Sequence, residues 1–298
     1  MVPVYHDELV YGIKQNTEVS MSYENILYDV SNRVAHVTLN RPEKLNALSD
    51  ILLEEYAAAL VEAERDPDVG VVVVRAAGRA FSAGYDVGGG SGYTQIQKQA
   101  PFLADRLRLQ FFDDKITTAW RLVKPVIAQV HGYCVAGGND IAGQCDIIIA
   151  AENATFGHPQ IRRLGLTWMH MFPYKCGPQW SKMLMFTGDS ISGKEAEKIG
   201  VVARAVPEDK LEEEVEKLAA RIALVDPTLL AMNKLAVNRV FEEMGLRNTF
   251  NAANTYDTIA HTAEAMQEFN RIAREQGLKT ALAANEGPFR QSPRPFEI

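Results

Sequence analysis

The stretch Val130-His131-Gly132-Tyr133-Cys134-Val135-Ala136-Gly137-Gly138-Asn139-Asp140 decides the architecture of this chain. The apolar run Pro125–Val130 that leads into it is typical of a buried strand, and the residues from Asp140 to Asp146 could form a short buried helix. A strand, a tight turn of small residues and a helix start leave backbone N–H groups without helical acceptors. Such N–H groups, backed by the helix dipole, can hold an oxygen that develops negative charge.

Composition sets the broad class of the protein. The chain has 298 residues, of which 47% are hydrophobic, and a formal net charge of −7. It can bury a sizeable core, as one large domain or one domain with an appendage. The acidic balance argues against a nucleic-acid binder, which needs a basic patch. The cysteines (Cys134, Cys145 and Cys176) lack pairing or zinc spacing, and no run has transmembrane length or a secretory pattern, so we expect a soluble cytoplasmic protein.

Strands and helices alternate in the first half of the chain. Helices are predicted from Ile51 to Arg65, with Ser49 or Asp50 as the cap, and from Phe102 to Leu122. The predicted strands are Asn25–Val30, Val34–Leu39, Gly70–Ala76, Pro125–Val130 and Asp146–Ala150. The β-branched run at residues 70–76 lacks alternation, which favours a strand covered on both faces. This order indicates an α/β fold with right-handed crossovers.

The second half of the chain has helical periodicity. Predicted helices are Gln179–Thr187, Ser192–Ile199, Lys210–Val225, Pro227–Glu243 and Asn248–Gln276. Gly188 and Gly200 stand at plausible helix ends. We therefore divide the chain into an extension (1–22), a core (23–205), a helical region (206–283) and a loosely ordered tail (284–298). The glycines from Gly88 to Gly92 lack the spacing of a phosphate loop and favour a flexible loop instead.

A set of short motifs resembles the crotonase (enoyl-CoA hydratase/isomerase) superfamily in order and spacing, over roughly residues 23–275. The motifs are Asn40-Arg41-Pro42 with Asn46-Ala47-Leu48, Ala80-Phe81-Ser82-Ala83-Gly84-Tyr85-Asp86, Lys124–Ala128 with Gly132-Tyr133 and Ala136-Gly137-Gly138, Cys145-Asp146, and Ala154-Thr155-Phe156-Gly157. The resemblance implies a crotonase-like spiral of ββα repeats with a helical C-terminal trimerisation region, assembled as a homotrimer or hexamer. It also implies an acyl-CoA thioester substrate, with no metal and no tightly bound cofactor.

The resemblance implies two backbone N–H donors to the thioester oxygen as an enolate forms. By motif match these are the N–H groups of Tyr85 and Gly137. The physics agrees, because each preorganised donor can be worth roughly 3–4 kcal/mol and glycine lets a ligand approach the backbone closely. Two ordinary glycine turns are the alternative interpretation.

Coenzyme A contacts follow from the same resemblance. The segment that contains Ala83, Asp86 and Val87 should meet the pantetheine and adenine, and Lys44 is a candidate to reach a phosphate. A solvated loop lysine is the alternative for Lys44. For Asp86 the alternative is that it fixes its loop by accepting backbone hydrogen bonds.

The acid–base groups depart from the family pattern. Hydratases of the family use two glutamates to add water across a conjugated double bond, but here the two positions carry Asp140 and Gln160. An amide cannot transfer a proton at neutral pH. Asp140 is therefore the main acid–base candidate, with a carboxylate stabilised by the helix dipole as the alternative. Gln160 could orient a water or the substrate carbonyl.

Bulky residues replace the family's Gly-rich loop after the second acidic position. They should reshape the acyl pocket or pack in the core: Trp168, Met169, His170 and Phe172. His170 is a second acid–base candidate because imidazole titrates near neutrality, although packing is favoured for it. Structural roles are also favoured for His131 and His158.

Three functions remain open from the sequence. The first is an enoyl-CoA hydratase-like lyase that uses Asp140. The second is an enoyl-CoA double-bond isomerase or another crotonase chemistry, such as hydrolysis, which the loss of one glutamate favours. The third is a non-catalytic acyl-CoA binding protein, against which the retained Asp140 argues.

Overall fold

The computed structural model describes residues 22–86, 98–167, 171–292, 294 and 298. The predicted extension up to residue 21 lies outside the described residues. Up to residue 157 the described chain alternates strands and helices. These elements are β1 (Ile26–Ser31), β2 (Val34–Leu39), α1 (Asp50–Arg65), β3 (Val71–Ala76), β4 (Ala80–Ser82), α2 (Pro101–Ile116), α3 (Thr118–Arg121), β5 (Val126–Val130), β6 (Tyr133–Val135), α4 (Gly137–Gln144), β7 (Ile147–Ala151) and β8 (Thr155–Gly157).

The second half is mainly helical. Its elements are α5 (Phe172–Lys175), α6 (Gly177–Thr187), β9 (Ser190–Ser192), α7 (Gly193–Lys198), β10 (Arg204–Val206), α8 (Leu211–Ile222), α9 (Pro227–Glu243), α10 (Leu246–Ala260), α11 (Glu264–Gln276) and α12 (Leu278–Gln291). Within the described residues, no helix combines the length and apolar character needed to cross a membrane.

Two sheets carry the core. The larger has the order β1-β2-β3-β5-β7-β10, in which only β1 pairs antiparallel. Val71 to Val74 are fully buried, as the unalternating run predicted. The smaller sheet has the order β4-β6-β8-β9, and its strands β4, β6 and β8 run parallel. β4 and β6 each lead directly into one of the two glycine turns.

Two predictions about helices need correction. The single helix predicted from Phe102 to Leu122 is two helices, because the chain turns at Thr117, whose hydroxyl donates to the carbonyl of Asp113 at 2.5 Å. The helix predicted from Asn248 to Gln276 is likewise interrupted, between Ala260 and Glu264. By contrast, Ser49 caps α1 by accepting from the N–H of Leu52, which is one of the two caps that the sequence allowed.

The prediction of a loosely ordered tail from Ala284 is wrong as far as Gln291, where α12 ends. Arg162 fixes this helix to the core. Its guanidinium forms an ion pair with Glu286 at 2.6 Å and lies 3.7 Å from the ring centroid of Phe289. The proposed division into four segments stays a prediction.

A buried ion pair attaches the helical region to the core. Lys234 on α9 is 8% exposed, and its ammonium lies 2.8 Å from the carboxylate of Asp146, just before β7. The same ammonium donates to the carbonyls of Ala119 and Lys124. These partners satisfy the buried charge. They therefore fix α9 against the segment that joins α4 to β7.

Candidate active site

The first turn of the site is strained. Ala136, which precedes α4, adopts φ 51° and ψ −124°, a conformation that costs a non-glycine residue about 1–3 kcal/mol. Hydrogen bonds hold it there. The N–H of Ala136 and the side-chain amide of Asn139 both donate to the carbonyl of Gly157, at 3.0 and 2.7 Å. Gly137 therefore begins α4, and its N–H is one of the first four, which have no acceptor within the helix.

The second turn lies directly against the first. Gly84 has φ +98°, and a Cβ placed on it would lie 2.7 Å from the Cβ of Ala136 and 3.4 Å from the nitrogen of Gly137. Only glycine allows this approach. Leu48 fixes the segment from both sides, because its N–H donates to the carbonyl of Gly84 and its carbonyl accepts from the N–H of Asp86. The structure thus brings Tyr85 and Gly137 together.

Asn46 holds the loop at residues 41–48 against the strand β4 and the residues before it, a role that the sequence did not predict. It is fully buried, and its carboxamide accepts from the N–H of Arg41 and donates to the carbonyls of Ala77 and Ala80. The hydroxyl of Ser82 donates to the carbonyl of Asn46 at 2.8 Å. The motif at residues 40–48 contained the signal, but long-range hydrogen bonds cannot be inferred from it.

Asp140 is buried beside Tyr85. Its carboxyl accepts a hydrogen bond from the Tyr85 hydroxyl at 2.9 Å, and the residue is 2% exposed. Burial raises the pKa of Asp140 well above its usual range. The bond from Tyr85 opposes this rise in pKa, and the charges of Asp113 and Asp257 add to it. Burial, followed by the charge of Asp140, also raises the pKa of the Tyr85 hydroxyl.

Gln160 belongs to a separate cluster of polar side chains, with Thr167 and His158. Its side-chain nitrogen donates to the hydroxyl of Thr167 at 3.0 Å and lies 3.2 Å from Nδ1 of His158. The Thr167 hydroxyl and the same ring nitrogen are 2.8 Å apart. His158 is 2% exposed and packs edge to face against Phe172, with ring centroids 5.0 Å apart. Asp140, His158 and Phe172 line one narrow cavity.

The other predicted residues are spread around this centre. Lys44 ends a short 3-10 helix at Pro42–Lys44 and is exposed. Asp86 forms an ion pair with Arg41 at 3.2 Å. Ala83 donates its N–H to the carbonyl of Leu45. The predictions for Val87, Trp168, Met169 and His170 lie outside the described residues.

An acidic cluster from α2 and α10 was not predicted. His261 Nδ1 lies 2.6 Å from the carboxylate of Asp105, and its Nε2 lies 3.5 Å from that of Asp257. Burial raises the pKa of Asp257 to about 6, and the same carboxylate accepts from the N–H of Leu166 at 2.7 Å. Burial alone would lower the pKa of His261, but the two carboxylates raise it. The helical pattern gave no sign that these side chains converge.

Comparisons with known proteins identify the family of the chain. A family model described as enoyl-CoA hydratase/isomerase matches residues 29–275. A Mycobacterium tuberculosis protein named a probable enoyl-CoA hydratase is 35% identical over 229 residues, which are 74% of this chain and 84% of the relative. The chain therefore belongs to the enoyl-CoA hydratase/isomerase family, and the predicted crotonase membership is confirmed.

Solved structures confirm the fold. An enoyl-CoA hydratase of Mycobacterium smegmatis superposes with a TM-score of 0.84 at 34% identity, covering 89% of this chain and 94% of that one. An enoyl-CoA hydratase/isomerase of Xanthobacter autotrophicus gives a TM-score of 0.81 at 35% identity, covering 90% and 99%. The predicted α/β crotonase fold with a helical C-terminal region is therefore correct.

Replacing Asp140 with asparagine should stabilise the fold at neutral pH. In the unfolded chain the carboxyl ionises near pH 3.9, whereas the raised folded pKa keeps its proton to higher pH. The unfolded state thus binds fewer protons, so the stability of the wild type falls as the pH rises above about 4. The total loss is about 1.4 kcal/mol for each unit by which the folded pKa of Asp140 exceeds its unfolded pKa. Asparagine has the same shape and no such dependence.

Urea unfolding of the wild type and of Asp140→Asn across a pH series measures this effect. We expect the variant to be more stable at pH 7.5 and the difference in unfolding free energy to close as the pH approaches 4. A difference that does not change with pH, or a less stable variant, would contradict the buried carboxyl described above.

Proposed function

We propose that this protein is an enoyl-CoA hydratase-type enzyme that stabilises a thioester enolate with the N–H groups of Tyr85 and Gly137. One observation carries the proposal: two glycine turns from separate strands meet with Gly84 against the nitrogen of Gly137, beside a buried carboxyl, Asp140. The positive end of α4 adds to the field at this point. Relatives named enoyl-CoA hydratase support the same chemistry.

Asp140 is the main acid–base group in this proposal. A carboxyl serves acid–base catalysis at neutral pH best when its pKa lies above its usual range, and the burial of Asp140 acts in that direction. Gln160 assists through its side-chain amide, which orients a water or the substrate carbonyl. The reaction needs no metal or tightly bound cofactor, since coenzyme A enters as part of the substrate.

The substrate contacts follow the family pattern. We propose that Lys44, Ala83, Asp86 and Val87 contact coenzyme A, and that the acyl pocket includes Trp168, Met169, His170 and Phe172. The exposure of Lys44 supports its part in this assignment. The free cysteines favour a cytoplasmic location for the enzyme.

A second candidate is an enoyl-CoA isomerase, which needs one base to move a proton. The observation that favours it is the amide at Gln160, engaged with Thr167 and His158. Other crotonase chemistry, such as hydrolysis, and non-catalytic binding of acyl-CoA are the remaining alternatives.

Absorbance of the conjugated thioester separates these candidates. We expect the signal of crotonyl-CoA to fall, as hydration requires, whereas a rising signal from a 3-enoyl-CoA identifies an isomerase.

Asp140→Asn should lower the rate at least ~100-fold, because a general acid or base is lost. Asp209 is exposed on the surface, so Asp209→Asn serves as the matched control and should keep the wild-type rate. Full activity of Asp140→Asn would remove Asp140 from the mechanism, and thermal protection by acyl-CoA without turnover would identify a binding protein.

We also propose that the chain assembles as a homotrimer or as a hexamer made of two trimers. Helix α9 supports this, because it carries a series of large apolar side chains that are 44–60% exposed: Leu229, Met232, Leu235, Val237 and Val240. Such exposed apolar faces mark interaction surfaces.

Light scattering tests the assembly. We expect a mass three or six times that of the 33.0 kDa chain, and a lower mass for Val237→Glu, which places a charge on the apolar face. A stable wild-type monomer would rule out the trimer.

A further inference from the structure

The side chain of Tyr85 has no role in the function proposed above, which uses only its backbone N–H. Its hydroxyl donates to the Asp140 carboxyl at 2.9 Å. Its ring stacks on Phe112, with centroids 5.0 Å apart and planes 17° apart. The ring is therefore fixed on one side by an aromatic contact and at its end by a hydrogen bond.

The ring also lies against the start of α4. A Cβ built on Gly137 would meet two ring atoms of Tyr85, Cε2 at 2.8 Å and Cζ at 2.9 Å. Glycine at this position thus makes room for the phenol. The ring therefore covers the first residue of α4, and the hydroxyl reaches the carboxyl of Asp140 three residues later.

The position that carries the second glutamate in the family cannot supply a proton here. Gln160 is an amide, and its nitrogen contacts Thr167 and His158. Tyr85, by contrast, carries an exchangeable proton and is in direct contact with the remaining carboxyl. A tyrosine hydroxyl is one of the groups that act as general acids in enzymes.

We propose that the hydroxyl of Tyr85 is the second proton-transfer group of this site and exchanges protons between Asp140 and the α carbon of the thioester. This proposal rests on the proposed enolate chemistry. Where hydratases of the family use two carboxylates, this site would use the carboxylate of Asp140 and the phenol of Tyr85.

The proton balance of hydration closes with these two residues. Asp140 takes a proton from water as the water oxygen bonds to the β carbon, and the double-bond electrons move into the enolate. Tyr85 gives its hydroxyl proton to the α carbon. The phenolate then takes the proton held by Asp140 along their hydrogen bond. Both residues are restored, and one water has been added.

Hydrogen exchange at the α carbon of butyryl-CoA tests the step separately from hydration, because this saturated thioester cannot be hydrated. In D₂O the wild type should introduce deuterium, detected by mass spectrometry. Tyr85→Phe keeps the ring and the N–H, so butyryl-CoA should still bind. We expect its exchange and its crotonyl-CoA hydration to fall by at least ~100-fold. Tyr28→Phe, the same change on β1, should retain both.

Wild-type protein that binds butyryl-CoA without introducing deuterium would overturn the proposal. Exchange that persists in Tyr85→Phe overturns the proposal, whether hydration persists or falls, because the α proton then passes through another group. Wild-type exchange without hydration would refute the hydratase assignment and leave the role of Tyr85 to be decided by the variant. If Tyr85→Phe does not fold, 3-fluorotyrosine at this position keeps the shape and increases the acidity of the hydroxyl. An exchange rate unchanged by the fluorine would then reject proton transfer.

Discussion

The contact between Gly84 and the Ala136–Gly137 turn is the constraint on which the proposed site depends. The two segments follow β4 and β6, neighbouring parallel strands of the smaller sheet, so the sheet register sets their separation. Gly84 allows the approach, and Ala136 accepts a strained conformation because Gly157 on β8 takes two hydrogen bonds from the turn. Strain at one residue is thus balanced by the third strand of the same sheet. This arrangement orders the N–H groups before any ligand arrives, which is the condition for effective electrostatic stabilisation.

The electrostatic surroundings of Asp140 follow from the helices packed over this turn. Asp113 on α2 and Asp257 on α10 both raise its pKa, in addition to the effect of burial. Asp257 also accepts from the N–H of Leu166, so α10 contacts the loop that follows Gln160. The helical region therefore does more than cover the core. It brings the charge of Asp257 near the carboxyl of Asp140, and it holds the loop after Gln160 through the N–H of Leu166.

The sequence predicted the parts of this structure that depend on local patterns. The buried strand at Val71–Val74, the cap at Ser49 and the crotonase motifs were all readable, because burial and helix starts leave local signatures. The break at Thr117 was missed because a threonine also fits within a helix, and its sequence does not show that the hydroxyl bonds the carbonyl of Asp113 four residues earlier. The ordered helix to Gln291 was missed because a contact distant in sequence, the ion pair of Arg162 with Glu286, holds it. For the same reason the hydrogen bond from Tyr85 to Asp140 could not be anticipated: its partners are 55 residues apart and belong to different turns.

Infrared difference spectroscopy directly measures whether the backbone N–H groups of Tyr85 and Gly137 polarise a thioester carbonyl. A saturated acyl-CoA with a ¹³C-labelled thioester carbonyl would be bound to the wild type and to Asp140→Asn, which keeps both N–H groups. We expect the carbonyl stretch to move to lower frequency than in water in both proteins, because donors at the oxygen weaken the double bond. A stretch that stays at its solution frequency while the ligand is bound would contradict the proposed stabilisation of the thioester oxygen by these N–H groups.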